Sequence, residues 1–444
     1  MPNEIATIEK ARPNPLVNDE IKRMPLRFRY VLLLLTPLLL PVLVSLGPVA
    51  AEVPTRQYLV FQIFTGGPLY MNGVYHPDQD ILRIARRIAA TVRPTPSDPN
   101  RHLGFAIGPI ATDRGEDARS VIRNAFDVAL TTDLAVLLHL DDYMFTQQAR
   151  WADGRLLHAA QGTEEWKDWS GTPAGRLDIG WMPNANLAPP LCYESTPVKD
   201  FASYWTRDVI GQEVKRQFDR LVEAGKAELF AGVIAGWESN LAYGYCSLSH
   251  LGYSAQNPPS DFDHERERVL QRHVERWAKG IYDAGIPRDL IFTHLGIMPR
   301  EDYEKMSALL PRERIRNMPQ STAFRAFWTA FNKYSNPGFS AYVDRSRFAD
   351  IYEAVRRYGG GPWAMAEGTN VALKAGYEGG AAPSPLDWET YLARNFNHGA
   401  RVVNIFGGFQ GDAGNFGRSA EGEEAITAYQ KFLRGNHLVE DPKK

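Results

Sequence analysis

The chain has 444 residues, of which 44% are hydrophobic and 23% charged, values ordinary for a packed globular protein of one or two domains. Its formal net charge is -2, and it has no long run of Lys or Arg. Proteins that bind nucleic acids concentrate basic residues on one face to neutralise phosphates, so the composition argues against a nucleic-acid partner. Ten tryptophans suit a sugar-binding cleft and a large core equally well.

The N-terminal region has the pattern of an export signal. Residues 31–47 form an apolar run preceded by several Lys and Arg residues, and residues 49–51 (VAA) follow it as a small-residue cleavage site. Read from Met24, the region has the length of an ordinary secretory signal, which makes Met24 a candidate start of translation.

We therefore predict that residues 1–51 are a removable signal peptide and that the mature chain, residues 52–444, is a single catalytic domain in the periplasm or outside the cell. The alternative is an uncleaved membrane anchor, because the apolar run approaches the roughly 20 residues that a span requires. Pro37 and Pro41 favour the cleaved peptide over a continuous helix. Contact with a membrane is expected only if this segment is retained.

Eight short apolar runs alternate with amphipathic helical patterns along the mature chain. The candidate strands are residues 58–64, 103–110, 134–140, 229–236, 290–296, 338–343, 362–368 and 401–407. Eight parallel strands are the number that closes a barrel, so we predict an α/β fold of the (β/α)₈ TIM-barrel type. The competing fold is an open doubly wound sheet, but the turn after the first strand, FTGGPLYMNG, lacks the GxGxxG pattern.

Long loops are predicted after several strands. Over fifty residues with little helical periodicity separate Asp141 from the helix that begins near Val198, and they include four tryptophans. Strand-to-helix loops of a barrel lie on its C-terminal face, where active sites are found.

Cys192 and Cys246 are the two cysteines of the chain. Export would place them in an oxidising compartment, and both fall in predicted loops of the same face, so a disulfide is one interpretation and two buried free thiols are the other. Neither belongs to a CxxC pair, and no cofactor motif is present, so we expect neither a metal nor an organic cofactor.

Carboxylates follow four of the predicted strands. They are Asp141 and Asp142 after strand three, Glu238 after strand four, Asp344 after strand six and Glu367 on strand seven. Hydrolysis of a glycoside needs one carboxyl group to protonate the leaving oxygen and a second to attack the sugar or activate water, so paired carboxylates at one end of a barrel favour this chemistry.

Strict side-chain alternation places Glu238 on the same strand face as Phe230 and Ile234, and Glu367 on the same face as Met365. If these faces line the interior, both glutamates stand at the top of the barrel. The alternative is that one or both form ordinary salt bridges at the rim.

The motifs GWESN and AMAEGTN resemble those of clan A of the glycoside hydrolases. The resemblance implies that Glu238 is the acid/base after strand four, that Glu367 is the nucleophile after strand seven, and that the anomeric configuration is retained. The clan has Asn directly before its acid/base, where it holds the sugar 2-hydroxyl, whereas this chain has Trp237. Either Asn240 substitutes for that Asn or the 2-hydroxyl is bound differently.

Further candidates surround the pair. The predicted substrate-binding residues are Asp141, Asp142, Trp237, Asn240, His294, Trp328 and Tyr342. Three of them have structural alternatives: Asp142 would fix its loop, His294 would make a structural hydrogen bond, and Tyr342 would pack in the core instead of orienting the nucleophile as the clan's aromatic hydroxyl does.

The sequence thus predicts an exported retaining glycosidase that acts on an oligosaccharide, polysaccharide or glycoconjugate, with β-linked sugars as the expected substrates. Two alternatives remain open at this stage. An inverting glycosidase would use Asp141 or Asp344 as the base, and a glycan-binding barrel would have no catalytic activity.

Export is directly testable. Protein recovered from the periplasm or the medium of the producing cell should have an N-terminus near Glu52, because cleavage after residues 49–51 removes the apolar run. N-terminal sequencing measures this, and recovery of the full-length chain from the cytosol would contradict it.

Overall fold

The structure is a computed structural model, and its described part excludes the predicted signal segment, residues 1–51, as well as Tyr342 and Asp344. The described residues are 56–63, 81–110, 115–142, 162–175, 189–296, 308, 326–341, 345–359, 361–370, 386–409 and 419–441. Within these ranges, no helix combines the length and the hydropathy required to cross a bilayer.

Eight parallel strands form one sheet in the order β5-β4-β3-β2-β1-β8-β7-β6. The strands are β1 (Gln57–Ile63), β2 (Arg101–Ile110), β3 (Ala135–Leu140), β4 (Phe230–Ala235), β5 (Ile291–Phe292), β6 (Gly338–Ser340), β7 (Trp363–Gly368) and β8 (Ala400–Ile405). All eight coincide with predicted strands. They are almost wholly buried along their length, as expected for parallel strands covered on both faces.

Helices follow the strands and cover the outside of the sheet. The helices are α1 (Ile81–Val92), α2 (Gly115–Thr132), α3 (Thr196–Tyr204), α4 (Gln212–Glu223), α5 (Tyr245–Ser249), α6 (Phe262–Asp283), α7 (Arg345–Tyr358), α8 (Trp388–Phe396) and α9 (Glu423–Leu433). Local sequence explains where some of them begin: the Asp261 carboxylate accepts from His264 N at 3.0 Å and caps α6.

The sheet closes between β5 and β6. Leu295 N donates to Gly338 O at 3.0 Å, and Ser340 N donates to Leu295 O at 2.9 Å. These bonds join the two ends of the strand order, so the (β/α)₈ TIM barrel predicted from the strand count is confirmed.

The core has two layers. The inner layer consists of strand residues alone, and the outer layer combines the opposite strand faces with the helices. The inner layer contains Tyr58, Val60, Ala106, Ala135, Leu137, Ala231, Ile234, Phe292, Ala364, Ala366 and Val402. The barrel interior is therefore a packed apolar plug on which the polar residues near the C-terminal ends of the strands rest.

The predicted alternation is wrong on β4. Phe230 faces outward and packs against Phe126 of α2 with ring centroids 5.4 Å apart, whereas Ile234 faces inward. The strand pairing shows the cause: Val136 of β3 pairs with Phe230, but the next residue of β3 pairs with Gly232. The extra residue is a β-bulge, which reverses the alternation for the rest of the strand.

The predicted alternation is also wrong on β7. Met365 packs in the outer layer, so strict alternation would turn Glu367 outward with it. Phe339 pairs with Met365, however, and Ser340 pairs with Glu367, which leaves one extra residue on β7. This second bulge brings Glu367 to the same face as Ser340.

The predicted pairing of Cys192 with Cys246 is present as a disulfide, with the two Cα atoms 5.6 Å apart. It joins the loop after β3 to α5. The buried carboxylate of Glu165 reinforces this junction by accepting hydrogen bonds from Cys246 N and, at 2.7 Å, from Ser247 Oγ. The long loop is thus fastened over the end of β4.

Candidate active site

Glu238 lies just beyond the end of β4, where the chain leaves the barrel. Its backbone has φ of 49°, a left-handed conformation that is unfavourable for a residue other than glycine and is typical of functional positions. The Asn240 amide donates to Glu238 O at 2.8 Å and holds this conformation. Gly296 lies against the side chain: a Cβ there would stand 3.0 Å from Glu238 Cβ, so a glycine leaves the glutamate room.

Glu367 is held beside Glu238 by two residues. Trp237, which directly precedes Glu238, donates from Nε1 to Glu367 Oε2 at 2.9 Å. Ser340, the strand partner of Glu367, is hydrogen-bonded through Oγ to Glu238 Oε1 at 2.8 Å. Glu367 is 5% exposed and Glu238 is half-buried, so the two carboxyl groups stand at the boundary between the packed interior and the open end of the barrel.

Asp142 is hydrogen-bonded to the residues on either side of Glu238. Its carboxylate accepts from Trp237 N at 2.8 Å and from Ser239 Oγ, and His273 Nε2 lies 3.2 Å from it. Burial lowers the pKa of His273, against the opposing effect of Asp142, so the ring beside the carboxylate is neutral. These contacts suit the alternative that Asp142 fixes its loop, and Asp141 beside it is also buried.

Below the glutamates, five polar side chains, four from strands and one from the segment just beyond β5, form a continuous series of hydrogen bonds, which we term the interior polar chain. In order it consists of Asn404, Gln62, His139, His294 and Ser340. All five are fully buried. The chain ends on Glu238, because Ser340 Oγ contacts both His294 and the glutamate.

The separations along the interior polar chain are short throughout. Asn404 Nδ2 lies 2.6 Å from Gln62 Oε1, and Gln62 Oε1 lies 3.2 Å from His139 Nδ1. His139 Nε2 is 3.0 Å from His294 Nδ1, and His294 Nε2 is 2.9 Å from Ser340 Oγ. Each polar atom in the series is therefore within hydrogen-bond distance of the next.

Both imidazoles of the interior polar chain are neutral. Burial lowers the pKa of His139 from 6.5 to about 3. Burial, followed by the adjacent His139 ring, holds the pKa of His294 well below its ordinary value. For His294, the sequence left open either a substrate contact or a structural hydrogen bond. The ring makes structural hydrogen bonds here.

The remaining predicted residues are placed as follows. Trp328 donates from Nε1 to Glu267 Oε2 of α6 at 3.0 Å, and its ring lies 5.8 Å from that of His264. Its contacts are therefore with the N-terminal part of α6, and a role as a stacking platform stays a prediction. Tyr342 lies outside the described residues. Asn240 is buried and directed at the backbone of Glu238.

Sequence reasoning did not identify the interior polar chain. Gln62, Ser340 and Asn404 carried no functional assignment, although a signal was present. Several apolar strands contain a single polar residue near their C-terminal end, as in YLVFQIF, LAVLLHL and RVVNIFG. Because burying an unpaired polar group is costly, polar residues at one level of neighbouring strands indicate a shared network.

One cluster with metal-ligand chemistry occurs among the described residues, formed by Cys192, Cys246 and His250. Both sulfur atoms belong to the disulfide, so this cluster lacks the thiolates that a zinc site requires.

No family model matches this chain, and no curated protein matches it either. Solved structures align with it at low identity. One is a GH5-4 broad specificity endoglucanase from an uncultured bacterium, with 9% identity, coverage of 78% of this chain and 84% of that one, and a TM-score of 0.37. Another is the catalytic domain of the β-amylase from Paenibacillus polymyxa, with 10% identity, coverage of 87% and 99%, and a TM-score of 0.44. A third is a modular endo-β-1,4-mannanase from Cellulomonas fimi, with 12% identity, coverage of 85% and 70%, and a TM-score of 0.34. Similarity at this level assigns the chain to no family.

The buried neutral histidines predict a loss of stability in acid. Their folded-state pKa values lie below the unfolded value of 6.5, so the stability they confer is complete above pH 6.5 and is lost as the pH falls through that value. From about pH 8 to about pH 5, the free energy of unfolding should fall by about 2 kcal/mol for each histidine. Urea unfolding across this range measures the loss.

The variant His139→Gln should have a free energy of unfolding that depends less steeply on pH, by about the share of one histidine. The exposed residue His264 provides the matched control, through the variant His264→Gln. An unchanged pH dependence in His139→Gln would contradict the neutral buried state.

Proposed function

We propose that this chain is a glycoside hydrolase that cleaves with retention, with Glu238 as acid/base and Glu367 as nucleophile. The observation that carries the proposal is the double link between the two glutamates: Trp237 beside Glu238 binds Glu367, and Ser340 beside Glu367 binds Glu238. Direct attack on the sugar requires the two carboxyl groups to lie about 5 to 5.5 Å apart, and these shared links favour such a spacing over the wider one that holds a water molecule between the groups.

In the first step, a Glu367 carboxylate oxygen attacks the anomeric carbon while the bond from that carbon to the leaving oxygen breaks. The proton of Glu238 passes to the leaving oxygen. The products of this step are the released alcohol and a glycosyl ester on Glu367.

In the second step, water attacks the anomeric carbon of the ester. Glu238, now a carboxylate, takes the proton from the water, and the Glu367 carboxylate departs. Each glutamate returns to its initial state, and the two inversions at carbon give net retention.

Trp237 has a defined task in this scheme. Its indole N–H stabilises the ionised form of Glu367 and orients the carboxylate, because a hydrogen bond to a charged acceptor is worth more than one to a neutral acceptor. The tryptophan stands where clan A has an asparagine, so this chain uses that position to hold the nucleophile.

The proposal extends to substrate and compartment. An oligosaccharide, polysaccharide or glycoconjugate with a β-linked sugar is the proposed substrate. Of the two acids considered as an inverting base, Asp141 is buried after β3 and Asp344 lies outside the described residues. The Cys192–Cys246 disulfide supports an oxidising, exported environment.

Substitution of each glutamate by alanine should separate their roles. Glu367→Ala removes the attacking group, so activity should be lost on every substrate. Glu238→Ala should still form the glycosyl-enzyme on a dinitrophenyl glycoside, whose leaving group needs little protonation, and should then stall. Loss of general acid–base help typically costs about 10² to 10⁴ in rate, and burst kinetics would resolve the two steps.

Azide supplies the control, because it attacks the glycosyl-enzyme without a base. It should restore turnover of Glu238→Ala, give a β-glycosyl azide from a β-glycoside, and leave Glu367→Ala inactive. If both alanine variants keep near-normal rates, the two glutamates are rim residues and the hydrolase proposal is wrong.

Trp237→Phe should make the reaction more sensitive to acid. The variant keeps an aromatic ring but removes the N–H that stabilises the Glu367 carboxylate, so the acidic limb of the kcat/KM profile should move upward by about one pH unit. The matched control is Trp363→Phe, which removes an indole N–H that donates to His398 O in the outer layer. An acidic limb that moves equally in both variants would refute the assigned task.

A further inference from the structure

We infer that the interior polar chain positions a proton on Glu238: the Ser340 hydroxyl can bond to both His294 and Glu238 only when Glu238 is protonated. The inference rests on the proposed function, since a protonated Glu238 is the state that the first step requires. It makes Gln62 and Asn404, on the opposite side of the barrel, positioning residues for the acid/base.

The argument begins at Gln62, whose amide orientation is fixed. Its Nε2 donates to Gly108 O at 2.6 Å, and Asn404 Nδ2 donates to Ala366 O at 2.8 Å and to Gln62 Oε1 at 2.6 Å. Rotating either amide by 180° would place its oxygen against a backbone carbonyl oxygen, which cannot donate. Gln62 therefore presents an oxygen, an obligate acceptor, to His139.

Gly108 makes this anchor possible. It has φ of 149°, and a Cβ at this position would stand 2.2 Å from His139 O, so only glycine allows β2 to approach β3 so closely. The approach brings Gly108 O within reach of Gln62 Nε2. The orientation of the amide is thus set by rigid backbone on β2.

The fixed orientation of the Gln62 amide determines which nitrogen of each imidazole carries the proton. Each neutral ring has one N–H, and His139 Nδ1 must donate because it faces Gln62 Oε1. His139 Nε2 is then an acceptor, so His294 Nδ1 must donate to it across the 3.0 Å contact. His294 Nε2 is left as an acceptor facing Ser340.

The need of His294 Nε2 for a donor decides which hydrogen bond Ser340 can make with Glu238. A serine hydroxyl has a single proton, and His294 Nε2 needs it. Ser340 Oγ also lies 2.8 Å from Glu238 Oε1. With its proton directed at His294, the hydroxyl can only accept in this second contact, so Glu238 must carry the proton that is donated. An ionised Glu238 would compete with His294 for the serine proton, and losing that proton would deprive the buried His294 Nε2 of its donor, a state that costs free energy.

The arrangement also serves the second half of the reaction. Once Glu238 has given its proton to the leaving group, the Ser340 hydroxyl turns to the carboxylate and His294 Nε2 loses its donor. Recovery of a proton from the attacking water restores every hydrogen bond. The interior polar chain therefore favours the return of Glu238 to its acid form at the end of each cycle.

Other groups also affect the protonation of Glu238, and the test must separate their effect from that of the interior polar chain. Glu367 on β7 and Asp142 after β3 are carboxylates close to it, and negative charge on either also favours a protonated neighbour. The histidines that face it are neutral. Substitutions at Gln62 or Ser340 leave both carboxylates in place, so any change they cause in the titration of Glu238 arises in the interior polar chain.

The first experiment observes the imidazole protons. The full mature chain is labelled with ¹⁵N-histidine, and the ring-nitrogen shifts of His139 and His294 are recorded by long-range ¹H–¹⁵N NMR between about pH 5.5 and pH 8. Each assignment comes from the loss of signals in His139→Gln or His294→Gln. Both rings should be neutral with the proton on Nδ1. A proton on Nε2 of either ring overturns the inference.

The second experiment titrates Glu238 through its ¹³C-labelled carboxyl carbon, with Glu238→Gln providing the assignment. In Ser340→Ala the acid form loses the oxygen that accepts its proton, so the titration midpoint should fall by about one pH unit, a tenfold change in proton dissociation. If Ser340 instead donates to an ionised Glu238, the same substitution must raise the midpoint. An unchanged or raised midpoint overturns the inference.

Gln62→Leu tests the distant anchor, and should also lower the midpoint because the imidazoles become free to reverse their protons. Ser335→Ala is the matched control: it removes a buried hydroxyl just before β6 that bonds to Asn332 and not to the chain, and should leave the midpoint unchanged. If Gln62→Leu does not fold, Ser340→Ala decides. Neither experiment needs a substrate, so failure of the inference is distinguishable from failure of the hydrolase proposal.

Discussion

The arrangement of this barrel depends on the hydrogen bonds between the polar side chains that are buried in its interior. Two amides, two imidazoles and a hydroxyl sit directly on an apolar plug, and losing a hydrogen-bond partner in such a place costs about 1–3 kcal/mol. Their partners are one another and a few backbone carbonyls. The pairing therefore fixes the position of Ser340, and through Ser340 the position of Glu238, with a rigidity that a loop alone would not provide.

The catalytic candidates occupy places that regular strand geometry does not reach. A bulge on β7 turns Glu367 toward Ser340, and a left-handed residue beyond β4 directs Glu238 toward the same point. The conformation at Glu238 has local support: Asn240 holds the carbonyl of Glu238, and Asp142 accepts from the Trp237 backbone N–H before it and from the Ser239 hydroxyl after it. The unfavourable backbone conformation is thus stabilised by groups whose own role is structural.

The strand count and the helical periodicities were sufficient to predict the fold, because eight buried parallel strands have few ways to cover both faces. Alternation failed on β4 and β7, since one inserted residue reverses the faces and nothing in the local composition marks Ala231 or Ala366 as that residue. The carboxylates were recognisable as strand-end groups. The indole contact to Glu367 was not, because it joins residues 130 positions apart that only the closed barrel brings together. The interior polar chain was missed because its members lie in five separate segments of the sequence.

The junction between β5 and β6, here called the seam, connects the closure of the barrel with the support of Glu238. These are the two shortest strands, of two and three residues, and their pairing continues beyond them as isolated bridges. His294 and Ser340 lie on opposite sides of this seam, so the contact between them forms only when the cylinder is shut. A molecule with native helices and all strand pairs except the one between β5 and β6 would resemble the native state by circular dichroism. It would lack the contact that supports Glu238. Under the proposed function, the catalytic rate should therefore report the final stage of assembly, and amide exchange along the seam should track it more closely than global unfolding does.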